Sequence, residues 1–173
     1  MKNIFLFGLL SLFLWGCGGD MICDCFDQSE DAVFFTFNTN TNSQGFKPEE
    51  IDTFYVYQLA KDQNNVLDSA IFIYNPVSGY HTTQKPSAHY SLKNGVFLNH
   101  GSPFGKGKIG EFDYVIEIPK LKTYQIKNLQ IYGIQGKGDC GCYTNTKKLV
   151  TVNGTQYDLT GKDPQQNAIV LTK

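Results

Sequence analysis

The alternation of apolar and polar positions is cleanest over residues 112–118, where Phe112, Tyr114, Ile116 and Ile118 interleave with Asp113, Val115 and Glu117. A period of two is the signature of a strand with one buried face, so the first four side chains are predicted to point into a core. Pro119 ends the run, because it lacks the N–H that a continuing ladder needs. Residues 124–135 follow as a second strand through Ile126, Leu129 and Ile131. The alternation slips near Asn128, which predicts a β-bulge. Residues 148–152 and 155–159 flank Asn153-Gly154, a dipeptide suited to the two left-handed positions of a tight hairpin turn.

Upstream, residues 32–37 (Ala-Val-Phe-Phe-Thr-Phe) are apolar on both faces, as expected of a central strand. Residues 38–45 are a polar loop. Pro48 within residues 46–51 suits the first position of a single helical turn. Residues 53–59 form a strand with Phe54 and Val56 on one face and Tyr55, Tyr57 and Leu59 on the other. Residues 67–74 return as its hairpin partner and stop at Asn75-Pro76. The pattern weakens from 77 to 110. Short strands are predicted at 88–92 and 96–98, with Asn94-Gly95 as a hairpin turn between them, and residues 99–110 as a glycine-rich loop. Residues 167–172 supply a last strand. Short strands, regularly spaced turn signals and no amphipathic helix predict an all-β, mostly antiparallel β-sandwich of immunoglobulin-like or transthyretin-like arrangement.

The start of the chain changes this picture. One lysine, Lys2, precedes an unbroken apolar run from Ile4 to Trp15. As a helix this run would reach about 18 Å, against about 30 Å for a bilayer core, so it reads as the apolar part of an export signal. It ends Leu14-Trp15-Gly16-Cys17, which resembles the bacterial lipobox: an aliphatic residue, a small residue before the cysteine, then the cysteine itself. The resemblance implies that the Cys17 thiol is lipidated, that residues 1–16 are cleaved, and that the new N-terminus is acylated. Trp15 departs from the usual small or β-branched residue. Gly18 rather than aspartate follows Cys17, so the expected location is the outer membrane, lipid-anchored, in either leaflet. The chain then divides into a leader (1–16), a tether and N-terminal segment (17–31) and one sandwich domain (32–173).

Composition narrows the partners. Loss of Lys2 with the leader takes the net charge from −1 to −2, and a near-neutral body does not suit nucleic acid. The expected partners are the membrane, through the lipid, and a protein or glycan.

Four further cysteines form two like pairs, Cys23-Asp24-Cys25 and Cys140-Gly141-Cys142. An exported chain meets oxidant, so these are expected as disulfides that join the pairs: Cys23–Cys142 and Cys25–Cys140 if the two segments run antiparallel. A local Cys140–Cys142 bond competes, and four cysteines admit three connectivities. A tetrathiolate zinc site or a redox pair would use the same residues. No cofactor is expected.

Tyr55, Tyr57 and Tyr74 are the candidate ligand-binding residues, with Tyr80 and Tyr90 nearby, because rings exposed on a sheet can stack on sugars or anchor a partner. Burial in the core is the competing reading. His81, His89 and His100 match no metal-ligand spacing and are expected on surface loops. The glycines of residues 101–110 lack the ending and the context of a phosphate loop. Asp68-Ser69-Ala70 resembles the three-residue O-glycosylation signal found on exported proteins of one large group of Gram-negative bacteria. Asn153-Gly154-Thr155 fits an N-glycosylation pattern but serves the hairpin. No catalytic constellation stands out. The sequence therefore points to a membrane-anchored, non-catalytic lipoprotein that binds or scaffolds an extracytoplasmic partner. A carbohydrate-binding or substrate-capture module is the alternative, and a small metal-dependent enzyme a weaker one.

Overall fold

The computed structural model describes Cys25 and residues 30–83, 95–99, 103–104, 107–137, 140–163 and 166–173. Two sheets face each other as a β-sandwich. The larger has the order β4-β3-β2-β6-β7-β8-β9 and the smaller β10-β1-β5. The strands are β1 (Val33–Phe37), β2 (Thr53–Ala60), β3 (Val66–Asn75), β4 (Tyr80–Thr83), β5 (Gly95–Leu98), β6 (Phe112–Ile118), β7 (Lys122–Gln135), β8 (Tyr143–Val152), β9 (Thr155–Asp158) and β10 (Ile169–Leu171). The large sheet is two meanders, β2-β3-β4 and β6-β7-β8-β9, joined where β2 pairs with β6.

The core forms between the sheets from the period-two faces. Tyr114, Ile116 and Ile118 of β6 are buried, and half-buried Phe112 packs against the same cluster. Phe54 and Val56 of β2, Phe72 of β3 and Ile126 of β7 meet Val33, Phe35 and Phe37 of β1 there. Aromatic edges and faces fill it: Phe54 stacks on Phe72 at 4.9 Å and meets Phe37 edge-on at 5.0 Å. The central position of β1 explains its two apolar faces. Its other side places Phe34 against Phe97 at 5.2 Å in a second small cluster with Ala32.

Local signals operate as their chemistry requires. Pro48 opens a 3-10 turn, Pro48–Glu50. Asn128 takes φ 53°, where the β7–β8 register breaks. Asn153 and Gly154 take φ 48° and 84° in the β8–β9 turn. A pairing not foreseen is the parallel one of β1 with β10, Phe35 opposite Ile169, inside an otherwise antiparallel architecture.

Two local expectations are corrected. Strand β8 begins at Tyr143 rather than at residue 148, and β4 lies where the pattern was weak. Leu59 is buried together with Asp113, its partner on β6, although both lie on the face of Tyr55 and Tyr57. Gly95 lies inside β5 opposite Thr36 and not in a turn. A Cβ there would sit 2.1 Å from the Phe35 carbonyl oxygen, so close approach to β1 is what demands glycine. The strand expected at 88–92, and Asn94, lie outside the described residues.

Candidate functional site

The strand directions give the sandwich two ends. Ala60, Val66 and Phe112 lie toward one end, past which the β7–β8 hairpin runs on to Gln135 and Tyr143; the Asn75–Gly79 turn, Lys120 and Asn153-Gly154 lie at the other. The chain enters β1 at the first end, and that entry is fastened in several ways.

Cys25 is bonded to Cys142, with Cα atoms 5.3 Å apart and a sequence separation of 117. Cys140 is disulfide-bonded as well. The N-terminal segment is thus joined to the β7–β8 loop, as the paired motifs suggested, but with Cys25 on Cys142 in place of Cys140. Cys142 lies immediately before β8, whose first residues, Tyr143 and Asn145, also hold Asp31. Cys17 and Cys23 lie outside the described residues.

Polar contacts extend the fastening. The Asp31 carboxylate accepts from the Tyr143 hydroxyl at 3.0 Å and from Asn145 Nδ2 at 2.8 Å. Burial, and then the bond to Asp31, push the Tyr143 phenol up to about 12. Lys148 is 1% exposed and its Nζ donates to the Ala32 carbonyl at 3.2 Å. Burial lowers the Lys148 pKa, opposed by the charges of Glu30 and Asp31. A bulge at Thr146 brings Asn145 and Lys148 onto the inward face. Lys148 is in phase with Val150 and Val152, but nothing in its own chemistry marks it as buried; its partner is 116 residues away.

Beside this clamp lies a cleft of about 550 Å³, lined by Lys108–Glu111, residues 129–133 of β7, Asp31 and Tyr143. The end of the glycine-rich loop forms its wall as the 3-10 turn Ile109–Glu111. Sequence reasoning missed this cleft, because its walls come from three distant segments.

The tyrosines divide. Tyr55 and Tyr57 project from the open face of the large sheet, half-buried, their rings 6.2 Å apart and parallel to within 12°. Their neighbours in register are Ile71 and Ser69 on β3, and Glu117 and Val115 on β6. Burial, and then the hydrogen bond with Glu117, raise the Tyr57 pKa. Tyr74 does not join them. It shares the opposite face of β3 with Phe72 and meets His81 edge-on at 5.5 Å, since residue 74 is out of phase with 71 and 73.

His81 is not on a surface loop. It is 1% exposed, with Nε2–H donating to the Ile51 carbonyl at 2.6 Å and Phe54 beside the ring. His89, His100 and Tyr90 lie outside the described residues. Among the described residues no three His, Cys, Asp or Glu side chains gather as a metal would need. Ser69 is exposed within regular strand β3, opposite Tyr57. No helix among the described residues is long and apolar enough to cross a membrane.

Comparison with protein-family models, with characterised proteins and with solved structures returns no match.

Proposed function

We propose that this chain is a membrane-anchored, non-catalytic lipoprotein that presents the open face of its seven-stranded sheet to an extracytoplasmic protein. Residues 1–16 act as the leader and Cys17 carries the lipid, in the outer membrane. The observation that carries the binding role is the open-face patch around Tyr55 and Tyr57, continued by Ile71 and by Ile73, which is 39% exposed. Paired tyrosines within apolar surroundings offer large, rigid contact area with a polar tip, the composition favoured at binding surfaces. Glu117, bonded to Tyr57, orients that ring.

The test is chemical cross-linking on intact membranes, comparing wild type with Tyr55→Ala/Tyr57→Ala. A discrete partner captured by wild type and lost in the variant, with membrane fractionation unchanged, supports the reading. Equal capture by both removes the patch from the function. Carbohydrate is the second reading, favoured by the parallel alignment of the two rings. Saturable binding of an oligosaccharide, lost in the same variant, would establish it in place of a protein partner.

A further inference from the structure

We infer that the exposed outer face of the β7–β8 hairpin is a membrane-contact surface, seated in the headgroup region of the bilayer that holds the lipid on Cys17. The inference rests on Cys17 being the anchor, and it adds an orientation and a second contact to that reading.

Tyr132 and Ile134 are each 62% exposed. They lie on one face of β7, opposite Lys147 and Thr144 of β8. Lys147 places its ammonium 5.9 Å from the centroid of the Tyr132 ring. Lys137 at the end of the hairpin is also exposed, and between residues 130 and 149 three lysines stand against one acidic residue, Asp139. An aromatic ring, an aliphatic side chain and flanking lysines are the residues that settle at a membrane–water interface. There the ring and the aliphatic chain leave water while the ammonium groups meet lipid phosphates.

Geometry makes the bilayer the occupant. Cys25 is eight residues from Cys17, so even a fully extended tether reaches only about 28 Å. The Cys25–Cys142 bond fixes the tether's upper end to the tip of this hairpin. Ile134 pairs with Thr144, about 7 Å along the strand from Cys142, and Tyr132 lies about 7 Å further. The opposite end also exposes apolar groups, Val77 at 95% and Leu121 at 41%. It is separated from the hairpin end by the fourteen residues of β7, about 45 Å. Turned over, the molecule would hold Cys25 farther from the bilayer than the tether extends. The hairpin end therefore faces the lipid.

The test uses the full chain, exported and processed, reconstituted into vesicles of phosphatidylethanolamine and phosphatidylglycerol, part of them with brominated acyl chains. The chain's single tryptophan, Trp15, leaves with the leader, so an introduced tryptophan reports alone. Tyr132→Trp and Ile134→Trp probe the hairpin, and Val77→Trp probes the far end. Thermal unfolding checks that each variant is folded, and mass analysis of the N-terminal peptide reports acylation of Cys17. Blue-shifted emission at 132 and 134, quenched by bromine several-fold more than at 77, supports the contact. Unquenched emission at 132 and 134 in an acylated protein overturns it and leaves the anchor standing. Equal quenching at 77 and 132 also overturns it, since the molecule would then lie flat. An unacylated Cys17 defeats the anchor reading, and this inference with it.

Discussion

Ile116→Ala strikes the middle of the core. Ile116 is 0% exposed on β6, between Val56 of β2 and Tyr124 of β7, both buried. The substitution deletes three carbons that are fully withdrawn from water, a transfer loss of about 2.4 kcal/mol at about 0.8 kcal/mol each. Strands pinned on both sides cannot collapse onto the gap, so a cavity cost is added. The expected total is about 3–4 kcal/mol, inside the range of about 2–5 kcal/mol for such truncations. In a domain of this size it should lower the melting temperature by roughly 6–16 °C. Urea unfolding of the disulfide-intact protein measures it, as a shift in midpoint at unchanged slope. Val115→Ala, half-buried on the opposite face, is the control and should cost much less. A loss below about 0.5 kcal/mol for Ile116→Ala, the scale of surface substitutions, would refute the assignment of this face to the core.

Three further outcomes follow from the clamp. Proteolysis of the unreduced protein should release the Cys25 peptide bonded to the Cys142 peptide. Cys25→Ala/Cys142→Ala should cost less than the ~4.9 kcal/mol that the chain-entropy account gives a lone bridge of 117-residue separation, because the bond at Cys140 remains; recovery of both thiols free in wild type would contradict the clamp. Lys148→Met should change the response to alkaline pH. Because burial lowers the folded pKa of Lys148 below its ordinary value, the unfolded chain holds a proton that the folded chain has released between those two values. Wild-type stability therefore gains a rising component with pH in that window, complete above the ordinary lysine pKa. The difference between wild type and Lys148→Met, measured by urea unfolding across the alkaline range, should show this rise. A pH-independent difference would mean that the lysine is not desolvated.

What the sequence disclosed was local. The run over 112–118 matches the bounds of β6 and its alternation holds from Tyr114 to Ile118, though Asp113 is buried and Phe112 half-buried; the slip at Asn128 marks a positive-φ residue at a register break, and Asn153-Gly154 forms the turn it encodes. These signals act between neighbours in the chain. The less legible features join distant segments. Asp31 and Lys148 become polar core only because the N-terminal segment lies on β8, and β10 finds β1 across nearly the whole domain. Tyr74 resembles Tyr55 and Tyr57 in composition, but register sends it to the other face. Two Cys-x-Cys pairs announce a joint between segments without choosing partners, since direction and stagger are set by the tertiary fold.

The central claim, an anchored lipoprotein whose tether begins at Cys17, is tested most directly by intact-mass analysis of the protein extracted from membranes, with tandem fragmentation of its N-terminal peptide. The account predicts a chain starting at Cys17 whose N-terminal peptide carries the added mass of acyl chains, and loss of membrane fractionation in Cys17→Ala. A mature chain that begins elsewhere, or an unmodified Cys17 in protein that still sediments with membranes, would contradict it.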